Sequence, residues 1–110
     1  MDVEITGRHI EVTEPMERHI RQRIEKLPPF ADKVQYLTVR LKMEAGNQLV
    51  EITAKCGRTD LLAQAGSHDM YQSIDDAFAK LERQLARYHD KRVNRARAAQ
   101  RASEDERLPE

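Results

Sequence analysis

Three successive stretches between Val34 and Ser67 place apolar residues at every second position, and only short turns separate them. In Val34–Met43, Leu37, Val39, Leu41 and Met43 share one side; Tyr36, Thr38, Arg40 and Lys42 share the other. Gln48–Cys56 repeats the pattern with Val50, Ile52, Ala54 and Cys56, and Thr59–Ser67 repeats it with Leu61, Ala63 and Ala65. A period of two is that of a half-buried strand. The turns, Glu44–Asn47 with its glycine and Gly57-Arg58, are short enough for hairpins, so the three strands form an antiparallel meander. One face of such a sheet is polar and can stay wet. The other is apolar, and the rest of the chain has to cover it.

Two helices are available for that. Thr13 precedes Glu14-Pro15, a cap followed by proline in the first turn, and Met16, Ile20, Ile24 and Leu27 make an apolar stripe over residues 14–27. Pro28-Pro29 stops this helix. The second spans Asp69–Arg92, with Met70, Ile74, Ala77, Phe78, Leu81, Leu85 and Tyr88 at steps of three and four. Asp69 caps it, and Gln72, three residues on, is placed to close a capping box. A short strand at Asp2–Thr6 begins the chain, with Val3 and Ile5 facing one way. Its connection to Val34 through a helix should be a right-handed crossover, which makes the first two strands parallel. The expected fold is α+β, in the order β-α-β-β-β-α: a four-stranded mixed sheet with two roughly parallel helices packed on one face. Residues 1–92 form the domain. Residues 93–110 keep helix formers but lose the apolar stripe. They are expected to extend the helix by a turn or two and then fray into a charged, flexible tail, acidic from Ser103 onward.

Charge is sorted along this framework rather than in total. Charged residues make up 35% of the chain, yet 19 bases balance 19 acids, so the net charge identifies no partner. Lys80–Arg101 holds eight bases and two acids, whereas Ala102–Glu110 holds one base and four acids. With Leu81 as zero on the helical wheel, Lys80, Gln84, Arg87 and Lys91 fall between about −60° and −120°, and Arg83 lies just beyond. Asp75 and Glu82 occupy the opposite flank. On the first helix, with Ile20 as zero, His19, Arg23 and Lys26 fall at the same angles. Cations late in a helix also suit its dipole, but sorting into one stripe favours a partner with a row of negative charges.

Little in the sequence points to catalysis. His9, His19, His68 and His89 lack the close spacing of a metal-binding pair, and no glycine-rich phosphate loop is present, so neither a metal nor another cofactor is expected. Cys56 reads as a small core residue rather than a nucleophile, and a lone cysteine excludes an internal disulfide. No apolar run is long enough to span a membrane and no signal peptide is visible, so the expected compartment is the cytoplasm. Aromatic content of 5% argues against a single-strand stacking platform. What remains is a basic helical surface suited to structured RNA, whose phosphates and shape are read before its sequence.

Two segments make this more specific. GRHIEVTE at 7–14, followed by a basic helix, and DMYQSIDDAFAKLERQLARYHDK at 69–91 resemble the ribosome hibernation promoting factor and ribosome-associated inhibitor family. The resemblance covers residues 1–92. It implies a non-enzymatic, stress- or stationary-phase protein that binds the small ribosomal subunit and its rRNA between head and body. There it would overlap the tRNA and mRNA sites and silence idle ribosomes. Matching rRNA-binding positions are Arg23 and Lys26 on the first helix, with Lys80, Arg83, Arg87 and Lys91 on the second. No small-molecule substrate and no membrane partner are implied, and the protein is expected to be monomeric off the ribosome. Two other readings remain open from the residues alone: a general double-stranded RNA-binding module, or a regulator docking on an acidic protein through its charged helices.

Overall fold

In the computed structural model, which describes the backbone of residues 1–107 and the side chains of residues 1–95, the chain runs β1 (Asp2–Arg8), α1 (Glu14–Glu25), a 3-10 turn (Pro29–Lys33), β2 (Tyr36–Glu44), β3 (Asn47–Cys56), β4 (Thr59–Ser67) and α2 (Met70–Arg107). The sheet order is β1-β2-β3-β4, with β1 parallel to β2 and the other neighbours antiparallel. The expected β-α-β-β-β-α architecture is therefore the observed one. The inward rows Leu37, Val39 and Leu41, Val50, Ile52, Ala54 and Cys56, and Ala63 are all buried. They meet Ile20 of α1 and Ile74, Ala77, Phe78, Leu81 and Leu85 of α2 in one core. Met43, expected inward, is exposed at the hairpin end of β2.

Local chemistry explains most boundaries. Thr13 caps α1 by accepting from the Met16 N–H at 3.3 Å, with Pro15 in the first turn. The β2–β3 hairpin turns through Ala45 and Gly46, both at positive φ (51° and 81°), the geometry of a tight primed turn. Gly7 is required by contact: a Cβ there would lie 2.4 Å from the Ile10 carbonyl oxygen, a backbone atom with no room to yield. Asp69 Oδ1 accepts from the Tyr71 N–H at 3.0 Å, as a cap should. Gln72 does not close the box, however. Its amide donates to Asp76 Oδ1 at 2.9 Å, and the Asp69 N–H goes instead to Ser67 Oγ at 3.2 Å.

Two features depart from the sequence reading. Past Pro28 the chain makes a 3-10 turn that buries Ala31 and leads into buried Val34, so β2 begins only at Tyr36. And α2 runs past the turn or two expected beyond Arg92; its helical backbone reaches Arg107. The expectation of an acidic tail falls partly on residues 108–110, outside the described residues.

Candidate nucleic-acid interface

Both helices run the same way along the sheet, because His19 of α1 lies beside Asp75 of α2 and Arg23 beside Glu82. That direction decides the fate of the two basic flanks. On parallel neighbours, equal rotational angles point to the same side. The flank of α1 therefore faces α2, and the matching flank of α2 faces away from α1.

The α1 flank is engaged within the protein. His19 Nε2 sits 2.8 Å from Asp75 Oδ1, and the His19 and Tyr71 rings meet nearly at right angles with centroids 5.3 Å apart. Arg23 reaches Glu82 Oε1 at 3.4 Å and Asp75 Oδ1 at 3.7 Å, and its guanidinium lies 5.9 Å from the Phe78 ring centroid. Its side chain is 24% exposed, and its Nε is buried with no hydrogen-bond partner in the structure. The two acids on the far flank of α2 are thus partners of α1's bases. Lys26 caps the end of α1 and is exposed. The structure turns Arg23 into the α1–α2 seam, apart from the α2 bases over β4.

The α2 flank lies over β4, one of the two edge strands of the sheet. Lys80 Nζ donates to the Gln64 carbonyl at 2.7 Å, and Gln84 Nε2 donates to the Leu62 carbonyl at 2.6 Å. The spacing fits: one helical turn of four residues rises about 6 Å, and two strand residues advance about 6.6 Å. These side chains satisfy carbonyls at an edge that could otherwise pair with another strand. Farther along, Arg87, Lys91, Arg92 and Arg95 rim a groove of about 290 Å³ between α2 and the start of β4, with Gln84 and Tyr88 in its wall. No acid lines it. Arg83 is exposed on the solvent side of the same row. Arg92 and Arg95 were not among the sequence candidates. Arg92 falls near the centre of the apolar face on the wheel, and only its position beside the groove exposes it; its Nη1 lies 3.5 Å from the Tyr88 hydroxyl.

The remaining reactive groups are structural. Tyr88 donates from its hydroxyl to the Cys56 carbonyl at 3.3 Å. Donation to Glu4 raises the Tyr36 phenol pKa, because that hydrogen bond favours the protonated form. Burial pushes the Cys56 thiol up and keeps it protonated, the opposite of what a nucleophile needs. In the native protein Cys56 should therefore react with a disulfide-exchange reagent at least about 1000-fold more slowly than in urea. A fast native reaction would place the thiol outside the core. Among the described residues no group of three or more His, Cys, Asp or Glu could hold a metal ion, and no helix is long and apolar enough to cross a membrane. A cationic row without acids or a nucleophile can neutralise phosphates.

Comparison with known proteins bears on what that row is for. The family model described as "Sigma 54 modulation protein / S30EA ribosomal protein" matches residues 3–93. The chain belongs to this family. Ribosome hibernation promoting factor of Pseudomonas putida is 34% identical over 91 residues, covering 83% of this chain and 89% of that protein. The Escherichia coli K12 protein of the same name is 32% identical over 91 residues, covering 83% and 96%. A ribosomal subunit interface protein from Coxiella burnetii superposes with a TM-score of 0.79 at 23% identity, over 82% of this chain and 99% of that one. The N-terminal domain of Thermus thermophilus Protein Y superposes at 0.68 and 20% identity, over 80% and 99%. At those identities the superpositions show a shared fold. The family is one of ribosome hibernation factors, which regulate translation by binding rather than by catalysis.

Proposed function

We propose that this protein silences idle ribosomes by occupying the decoding region of the small subunit, between head and body, where tRNA and mRNA would otherwise bind. The observation that carries the reading is the row along α2. Lys80, Arg83, Arg87 and Lys91 follow one flank, and the row continues into an acid-free groove at Arg92 and Arg95. Such a row matches the phosphate spacing of structured rRNA better than it matches a compact ligand. Lys26 contributes from the exposed end of α1. Arg23 contributes through the α1–α2 contact it holds, and through whatever part of its guanidinium an rRNA strand reaches. The protein acts in the cytoplasm, under stress or in stationary phase, and is monomeric when off the ribosome.

Sedimentation tests this directly. In lysate from starved cells the protein should move with ribosomal particles in a sucrose gradient, and it should bind purified small subunits. A protein that remains at the top of the gradient and ignores purified subunits overturns the reading. Equal affinity for isolated RNA duplexes of any sequence would point to a general duplex-binding module instead.

A further inference from the structure

A second concavity, of about 760 Å³, lies on the open face of the sheet, away from both helices' core. Arg8 from β1 and Arg40 and Lys42 from β2 line it, and Lys80 reaches it around β4 from α2. Glu51 is its one lining acid. Leu49 forms part of the floor by lying across Gly66, where a Cβ would come within 2.6 Å of Leu49 Cδ2. A side chain at Gly66 would displace Leu49 from that floor.

The register makes these cations unusual. Arg8 is directly opposite Lys42 on adjacent strands, and Arg40 lies two residues away on the same face. Like charges facing each other destabilise a sheet, and no apolar packing calls for this pair. Their internal partners are weak. Arg8 has no ion pair among the described residues. Arg40 Nη1 is 3.7 Å from Glu51, whose other oxygen accepts from Gln64 at 3.2 Å, and Lys42 meets Glu44 at 3.1 Å beside the exposed hairpin. Exposed pairs of this kind add little and give way to a stronger anion. The opposite end of the same face carries the acids Asp2, Glu4 and Asp60 against the base Lys55, so the sheet surface is polarised.

We propose that the open sheet face is a second RNA phosphate-binding surface, with Lys80 on the ridge between it and the α2 row. The protein would then hold two RNA segments, one on each side of the β4 edge. No aromatic ring lines the concavity, so it takes backbone rather than stacked bases. The inference rests on the small-subunit reading, but it is tested through residues which that reading does not use.

The probe is purified small subunits in a salt titration, with Arg8→Gln/Lys42→Gln compared against Arg87→Ala. Loss of two phosphate contacts should make the slope of log affinity against log salt shallower by roughly 1.4–1.8, which at 0.15 M salt is on the order of 20-fold weaker binding. The double variant should melt no lower than the parent, since a like-charge pair is removed. An unchanged slope in the double variant, with a shallower slope in Arg87→Ala, overturns the sheet surface and leaves the small-subunit reading standing. No change in either overturns both. Amide resonances of the unsubstituted protein supply a readout independent of variant folding. Shifts at Leu49 and Gly66 on adding a 16-base-pair RNA duplex support the surface. Shifts confined to α2, or shifts at the sheet produced by poly-glutamate but not by RNA, overturn it.

Discussion

Replacing Leu81 by alanine is expected to lower the free energy of unfolding by about 2–5 kcal/mol. Leu81 is fully buried, and so are Ile74, Ala77, Phe78 and Leu85 around it on α2 and Val50, Ile52 and Ala63 on the sheet. A helix anchored to β4 by Lys80 and Gln84, one residue before Leu81 and three after it, cannot easily sink to fill the void. The loss therefore contains both the transfer term for the missing methyls and a cavity term. Domains of this size are typically stable by about 5–15 kcal/mol, so a large share of the total would be lost. Urea unfolding should show a lower midpoint with the slope preserved. Arg87→Ala, on the outward flank, should stay within about half a kcal/mol of the parent. A Leu81→Ala cost below about 1 kcal/mol would mean that α2 is not docked through this face.

The meander was legible because a period of two survives any error in where a strand begins. Val50, Ile52, Ala54 and Cys56 face inward whether β3 starts at Asn47 or Gln48. The 3-10 turn at Pro29–Lys33 was not legible, since five residues beginning on the second of two prolines carry no period of their own. Ser73 shows another kind of gap. It is buried on the helix and bonds to the Gln48 carbonyl at 2.7 Å and to Ser67 Oγ at 2.7 Å, and a linear sequence gives no hint of those partners. The wheel sorts each charge to a flank of its own helix, but the relation of the two flanks depends on how the helices pack, which the sequence leaves open. Equal handedness on two parallel helices puts one flank in the seam between them and the other outside. Arg23 therefore meets Glu82 while Arg87 meets solvent. The open-face cations illustrate the same limit: Arg8 and Lys42 lie 34 positions apart in the chain, and only the strand register makes them neighbours.

Neutralising Arg87, Lys91 and Arg95 together should weaken small-subunit binding on the order of 100-fold at 0.15 M salt, and make the salt slope shallower by roughly 2.1–2.7. Each cation that neutralises one phosphate releases condensed counterions, and on structured RNA each contributes roughly 0.7–0.9 to the slope. Arg87→Ala alone should remove one such increment. These three side chains line one groove without an acid, so no internal ion pair has to be broken before they meet phosphate. Glu82, on the other flank, makes a poor control because its loss would release Arg23 from a 3.4 Å contact. Arg21 is better. It removes the same charge from the exposed side of α1, where it pairs with Glu17 at 3.2 Å, and it lies outside the α2 row. Arg21→Ala should leave the slope nearly unchanged. If Arg21→Ala and Arg87→Ala flatten the titration equally, the subunit is responding to net charge rather than to position. The assignment of Lys80, Arg83, Arg87 and Lys91 as an rRNA-binding row would then have to be withdrawn.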